Sequence, residues 1–241
     1  MPDQPSSSLH HFQSLHNNWI ASLLSTNSSD YTPVQTYSRI PKPSTGEDAY
    51  FAQSLASPST IPHVLSLRRR NIRAPPTELH AWPAPTAKPS SPPSVAEPDV
   101  ILLVDLGAPG ICGHPDTVHG GVVATLLDEA MSVAVALHAG LELEAGGESS
   151  EEKEAEREKN PRGKIFTAQL DLRYKRPLLV PAIAMVKAKV VARQGRKFWV
   201  RAQIVQEEKD ENAEKHLEWP KRKVVTTDAM AFWLQTRDAH L

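Results

Sequence analysis

Residues 120–138, GGVVATLLDEAMSVAVALH, constrain this chain more than any other segment. They read as a helix that is apolar nearly all round, so other structure must cover most of its sides. Two carboxylates, Asp128 and Glu129, stand in its middle, where an unpaired charge taken out of water costs several kcal/mol. The fold must therefore wrap this helix and still give an acid a reason to be there.

The wrapping comes from strand patterns on both sides. Residues 100–106, VILLVDL, read as a buried strand. In 165–174, Phe166, Ala168, Leu170, Leu172 and Tyr174 alternate with Thr167, Gln169, Asp171 and Arg173, a clean period of two. Residues 182–192 and 197–206 flank Gln194-Gly195, a hairpin turn in which Gly accepts positive φ. A last strand follows at 224–234. Strand, buried helix and four mostly antiparallel strands predict an α+β fold, an antiparallel sheet wrapped around one long central helix. With 241 residues and 40% apolar content, the chain can fill one such core and carry appendages.

Residues 1–97 read as a helical and Pro-rich N-terminal extension, and 98–241 as the domain proper. Leu9, Phe12, Leu15, Trp19, Ile20, Leu23 and Leu24 have the spacing of a short amphipathic helix packing on a core. His10, His11 and His16 lie in it and read as solvated; no neighbouring Cys or acid completes a metal set, and no metal is expected. Residues 47–70 read as a helix, a turn and a short apolar segment, ending in a basic cluster, Arg68-Arg69-Arg70 with Arg73, that reads as a solvated face. Eight prolines within 74–98 predict an extended linker. The acidic run 141–163 reads as an exposed, partly disordered insertion, and 207–215 as another polar run.

Composition removes several functions. A formal net charge of −1 gives no basic field for nucleic acid. The single cysteine, Cys112, cannot form an intramolecular disulfide and fits a cytoplasmic setting. No run of 18 apolar residues suggests a membrane span. The first Lys or Arg is Arg39, unlike a signal peptide or presequence, and the tail Ala239-His240-Leu241 is a loose variant of a peroxisomal address.

The opening of the helix holds the candidate chemistry. Gly120-Gly121 at a helix start let a backbone or ligand approach closely, and the free N–H groups there can bind an oxyanion. The same glycines also suit a plain strand-to-helix turn. Asp128 on a covered helix is a candidate general base, with Glu129 beside it a solvated or structural neighbour. His119 and Asp128 are nine residues apart, and nine steps of about 100° leave them half a turn out of phase. They meet only if two copies pack helix against helix, which predicts a site shared across a homodimer.

His119-Gly120-Gly121-x-x-Ala124-Thr125-Leu126-Leu127-Asp128-Glu129 resembles the hotdog-fold acyl-CoA thioesterases, nearest to superfamily members 4 and 5 and their fungal homologues. Thr167-Ala168 with Leu170, then Tyr174-Lys175-Arg176-Pro177, and Gly195-Arg196-Lys197-Phe198-Trp199 extend the resemblance over roughly residues 98–235. The resemblance implies a hotdog fold and a thioester hydrolase with no cofactor beyond the CoA of its substrate. It also implies roles. The Gly120 N–H polarises the thioester carbonyl, His119 shapes the loop with Gly121 beside it, and Asp128 of a partner activates water. Thr167 orients the acid, with Ser132 a second candidate. Lys175, Arg196 and Lys197, with Arg173 nearby, contact the CoA nucleotide. The partners expected are an acyl-CoA or acyl-carrier thioester and a second copy, in a dimer or a dimer of dimers.

Two other readings compete. One is a product-release or tailoring thioesterase acting on a carrier-bound or CoA-linked polyketide in fungal secondary metabolism. The other is a non-catalytic acyl-CoA-binding or regulatory protein that keeps the fold; loss of Asp128 or Gly120 would favour it, and both are present.

Overall fold

The computed structural model describes residues 5–15, 18–25, 30–77, 94–139, 164–208 and 223–236. Two short helices, α1 (Pro5–Ser14) and α2 (Asn18–Leu24), come first. Strands β1 (Tyr31–Val34), β2 (Val64–Arg69) and β3 (Val100–Leu106) follow. A small ribbon, β4 (Cys112–His114) with β5 (Thr117–Val118), leads into α3 (Gly120–His138). The chain then adds β6 (Ile165–Tyr174), β7 (Ala182–Gln194), β8 (Lys197–Glu207) and β9 (Lys223–Gln235).

Seven strands form one sheet in the order β1-β2-β3-β7-β8-β9-β6, antiparallel throughout. Its inner face wraps α3, which touches β3, β6, β7, β8 and β9. This is the hotdog arrangement. The β7–β8 hairpin turns as expected, with Gly195 at φ +58°.

By length and composition alone α3 is apolar enough to cross a membrane, although no run of 18 apolar residues exists. Its setting is that of a core helix: Val123, Leu126, Leu127, Met131 and Val135 are buried under the sheet. Alanines at 130 and 134 on the helix, and at 184, 188 and 202 on the strands, keep the two layers close.

Strand β3 shows why a continuous apolar run was needed. Val100, Leu102, Val104 and Leu106 join the inner core around α3. Ile101 and Leu103 point the other way, into a second cluster with Phe12, Ile20, Leu65, Leu67, Met185 and Val205. The N-terminal helices cover part of the outer face, so β3 is buried on both sides.

The expected helix over 9–24 is two helices. The helix expected after residue 47 shrinks to one π turn, Tyr50–Ser54. Buried Arg39 holds that turn and the chain after it, donating to the carbonyls of Phe51 and Leu55 through Nη1 and of Ile61 and Pro62 through Nη2. Strand β1 contains Pro33, which an edge strand tolerates. Residues on both sides of position 98 thus build one sheet. The insertion 141–163, the polar run beyond 208 and most of the Pro-rich stretch lie outside the described residues.

Candidate active site

The start of α3 is built around His119. This residue is the N-cap, in a non-helical conformation (φ −59°, ψ 137°), and its Nδ1 accepts the N–H of Gly121 at 3.0 Å. Its carbonyl accepts from Val122 and Val123 at 2.9 and 3.1 Å. Among the described residues, none accepts the N–H of Gly120. An amide donor at the positive end of a helix is suited to a developing oxyanion.

Both glycines meet a side chain that a Cβ would press. At Gly120 the nearest atom would be the Tyr174 hydroxyl at 3.3 Å, and at Gly121 the His119 ring nitrogen at 3.1 Å. Tyr174 donates to the Gly120 carbonyl at 2.9 Å. The strand pattern had placed Tyr174 without giving it a role; its position at the end of an alternating strand beside a Lys-Arg pair was the available signal. A cavity of about 570 Å³ opens here, lined among others by His119, Gly120, Gly121, Tyr174, Lys175 and Arg176.

Asp128 is elsewhere. Eight residues of helix separate it from Gly120, about 12 Å along the axis, and it does not line that cavity. The nine-step phase count from His119 does not apply, because His119 lies outside the helix as its cap. Axial distance is what keeps the pair apart within one chain.

The Thr167 hydroxyl donates to Asp128 Oδ1 at 2.7 Å. Ser132 uses its hydroxyl on the Glu129 carbonyl of its own helix, at 2.8 Å, so Thr167 is the residue in contact with the acid. Burial pushes the Asp128 carboxyl above its usual range, and the Thr167 hydrogen bond pulls it back only in part. Glu129 is the more perturbed of the two: burial, with the charges of Asp48 and Asp128 adding, raises it to about 7. It is a half-buried residue near Arg39 and Asp48 rather than a solvated one.

A β-bulge makes both contacts of β6 possible. Thr167 pairs with Trp233 and Gln169 with Phe232, so Ala168 has no partner in β9. Thr167 and Tyr174 are seven apart and would face opposite sides in a regular strand. The extra residue reverses the phase, and both reach α3. The clean alternation expected for 165–174 is therefore broken at Ala168, and Phe166 is 50% exposed.

The four cations are not brought together. Arg173 and Lys175 sit near the Tyr174–Thr227 end of the β6–β9 pair, Arg196 and Lys197 near its Leu234 end. Seven strand residues, about 23 Å, lie between those ends. Lys175 is held by Asp228 at 3.2 Å, and Asp228 also takes Arg201 Nη2 at 2.8 Å. Arg196 donates to the Gln235 carbonyl at 2.7 Å. Among the described basic cluster, Arg69 pairs with Glu97 at 3.1 Å, while Arg70 and Arg73 are exposed. The tail 239–241 and His16 lie outside the described residues.

A family model, the Thioesterase superfamily, matches residues 116–213, from β5 through α3 and the β7–β8 hairpin. Among solved structures, the chain is similar to a hexameric hotdog-fold thioesterase of Campylobacter jejuni, at 16% identity and TM-score 0.36, covering 53% of this chain and 76% of that one. It is similar to a mutant acyl-CoA hydrolase of Staphylococcus aureus, at 14% identity and TM-score 0.38, covering 54% and 61%. It is also similar to a Bacillus halodurans protein solved with CoA, at 16% identity and TM-score 0.35, covering 56% and 65%.

Proposed function

We propose that the chain, whose residues 116–213 match the Thioesterase superfamily model, hydrolyses an acyl-CoA-type thioester to a free acid and CoA. The observation that carries the reading is the division at α3. An amide donor with no acceptor among the described residues lies at Gly120 in a cavity, and a Thr167-held carboxylate with a raised pKa lies about 12 Å along the same helix. Each is half of a hydrolytic site, and two copies packing their α3 helices antiparallel would join unlike halves.

In that site the thioester carbonyl oxygen accepts the Gly120 N–H, which His119 leaves available by taking Gly121 for itself. The partner's Asp128 takes a proton from water as the water oxygen attacks the carbonyl carbon. The tetrahedral oxyanion collapses, the C–S bond breaks, and the CoA thiolate leaves and takes up the proton. Arg173, Lys175, Arg196 and Lys197 are cations suited to the phosphates of CoA. No further cofactor is needed, because water, an acid and an amide complete the chemistry.

A panel of acyl-CoA chain lengths tests the activity. Hydrolysis of at least one is expected, and Asp128→Asn should then lower kcat by about 10²–10⁴. Turnover on none would turn the reading toward a carrier-bound substrate or a binding protein; full turnover by Asp128→Asn would end the general-base assignment. Subunit sharing has its own test. Mixing Asp128→Asn with Gly120→Val subunits should restore activity that neither shows alone, because one site in each hybrid keeps the acid and an amide that no valine side chain obstructs.

A further inference from the structure

Three ligating side chains meet on the outer face, away from the cavity at α3. His11 comes from α1, His63 from the segment just before β2, and Asp105 from β3. One ligand atom from each lies within 4.8 Å of the other two. His11 Nε2 stands 3.0 Å from Asp105 Oδ2. The two imidazoles stack with centroids 3.8 Å apart and planes 21° from parallel. All three residues are half-buried.

His11 Nε2 is buried and faces the carboxylate without the alignment of a hydrogen bond. A cation seated between the imidazoles and the carboxylate would take one ligand atom from each residue. Two imidazoles and one carboxylate form a donor set for zinc-class ions, with water in the fourth position. Tetrahedral bonds of about 2.0–2.2 Å set ligand atoms about 3.4 Å apart, so the His11–Asp105 pair opens slightly and a pair at the 4.8 Å limit closes by about 1.4 Å, within the reach of side-chain rotation.

We propose that His11, His63 and Asp105 bind one divalent transition-metal ion of the zinc class, which fastens the N-terminal helix to the sheet. The sequence sets no Cys or acid near His10, His11 and His16 to complete a metal set. Folding brings the Asp105 carboxylate and the His63 imidazole to His11 from far away in the chain. The three ligands come from remote segments and meet only in the folded chain, so the ion stabilises the fold by binding only the assembled set.

The test uses the full chain, stripped with a chelator and titrated with zinc chloride. One equivalent should bind, and the melting temperature should rise by roughly 5–10 °C at about a hundredfold excess over Kd. Magnesium should produce no rise, since it prefers oxygen ligands in an octahedron. His63→Ala and Asp105→Asn, each shown folded by circular dichroism, should lose that binding equivalent and the rise. If His63→Ala fails to fold, His11→Gln serves in its place. Absence of binding, or an equal rise in the wild type and every folded variant, would overturn the site.

Discussion

The two faces of the sheet are covered by different means. Inside, α3 lies against alanines and aliphatic side chains, and the layer carries Asp128, Thr167 and the open amide of Gly120. Outside, α1 and α2 bring Phe12 and Ile20 onto Leu65, Leu67, Ile101 and Leu103, and the ligating groups there are His11, His63 and Asp105. The same strand residues alternate between the two, so neither cover can be lost without exposing half of β3. Chemistry is assigned to the inner layer and fastening to the outer, and this division can be broken experimentally.

The largest effect expected is on the inner layer. Asp128→Asn should cost about 10²–10⁴ in kcat and leave the melting temperature nearly unchanged, as read by steady-state kinetics beside calorimetry. A comparable cut in kcat from an outer-layer change, measured well below its melting point, would erase the division. Phe12→Ala should do the opposite: fully buried, it should lower unfolding free energy by about 3–5 kcal/mol in a denaturant titration and leave kcat intact.

Glu129 joins the layers, since its neighbours Arg39 and Asp48 belong to the N-terminal segment. Its carboxyl has a pKa of about 7 in the fold and an ordinary value of 4.5 in the unfolded chain. Between those pH values the unfolded state is ionised and the folded one is not, so stability falls as pH rises through the window. Glu129→Gln should remove that slope. Its melting temperature should match the wild type below pH 4.5 and exceed it above pH 7, and a variant less stable at pH 8 would contradict the assignment. Smallest is Tyr174→Phe, which removes the hydrogen bond to the Gly120 carbonyl. A loss of about 0.5–1.5 kcal/mol is expected, seen mainly in kcat/KM.

Sequence periodicity disclosed α3, β6 and the β7–β8 hairpin because each element faces one dominant environment. Asp128 stood out for a related reason, as a charge inside an apolar pattern. The Gly120 amide was legible from its place at a helix start and the Thr167 contact from the family resemblance, whereas the spread of the four cations followed from neither. Other features depend on partners distant in the chain. Pro33 disguises β1, and β2 becomes a strand only by pairing with β3. His11 looks like surface until His63 and Asp105 arrive beside it. Gly107 gives no local sign that a Cβ there would come within 2.2 Å of the Pro58 carbonyl oxygen. The bulge at Ala168 is hidden because apolar alternation continues straight through it.

That bulge also governs how this protein can vary. Strand β6 keeps time in twos, loses one beat at Ala168, and ends with both its polar contacts on the helix side. Removing one residue between Thr167 and Tyr174 would restore the beat and turn one contact away from α3. Removing two would keep both on the same side and shorten the span between them. Length changes in this strand are thus expected in even steps, and a library of single and double deletions across 168–172 would display that rhythm directly.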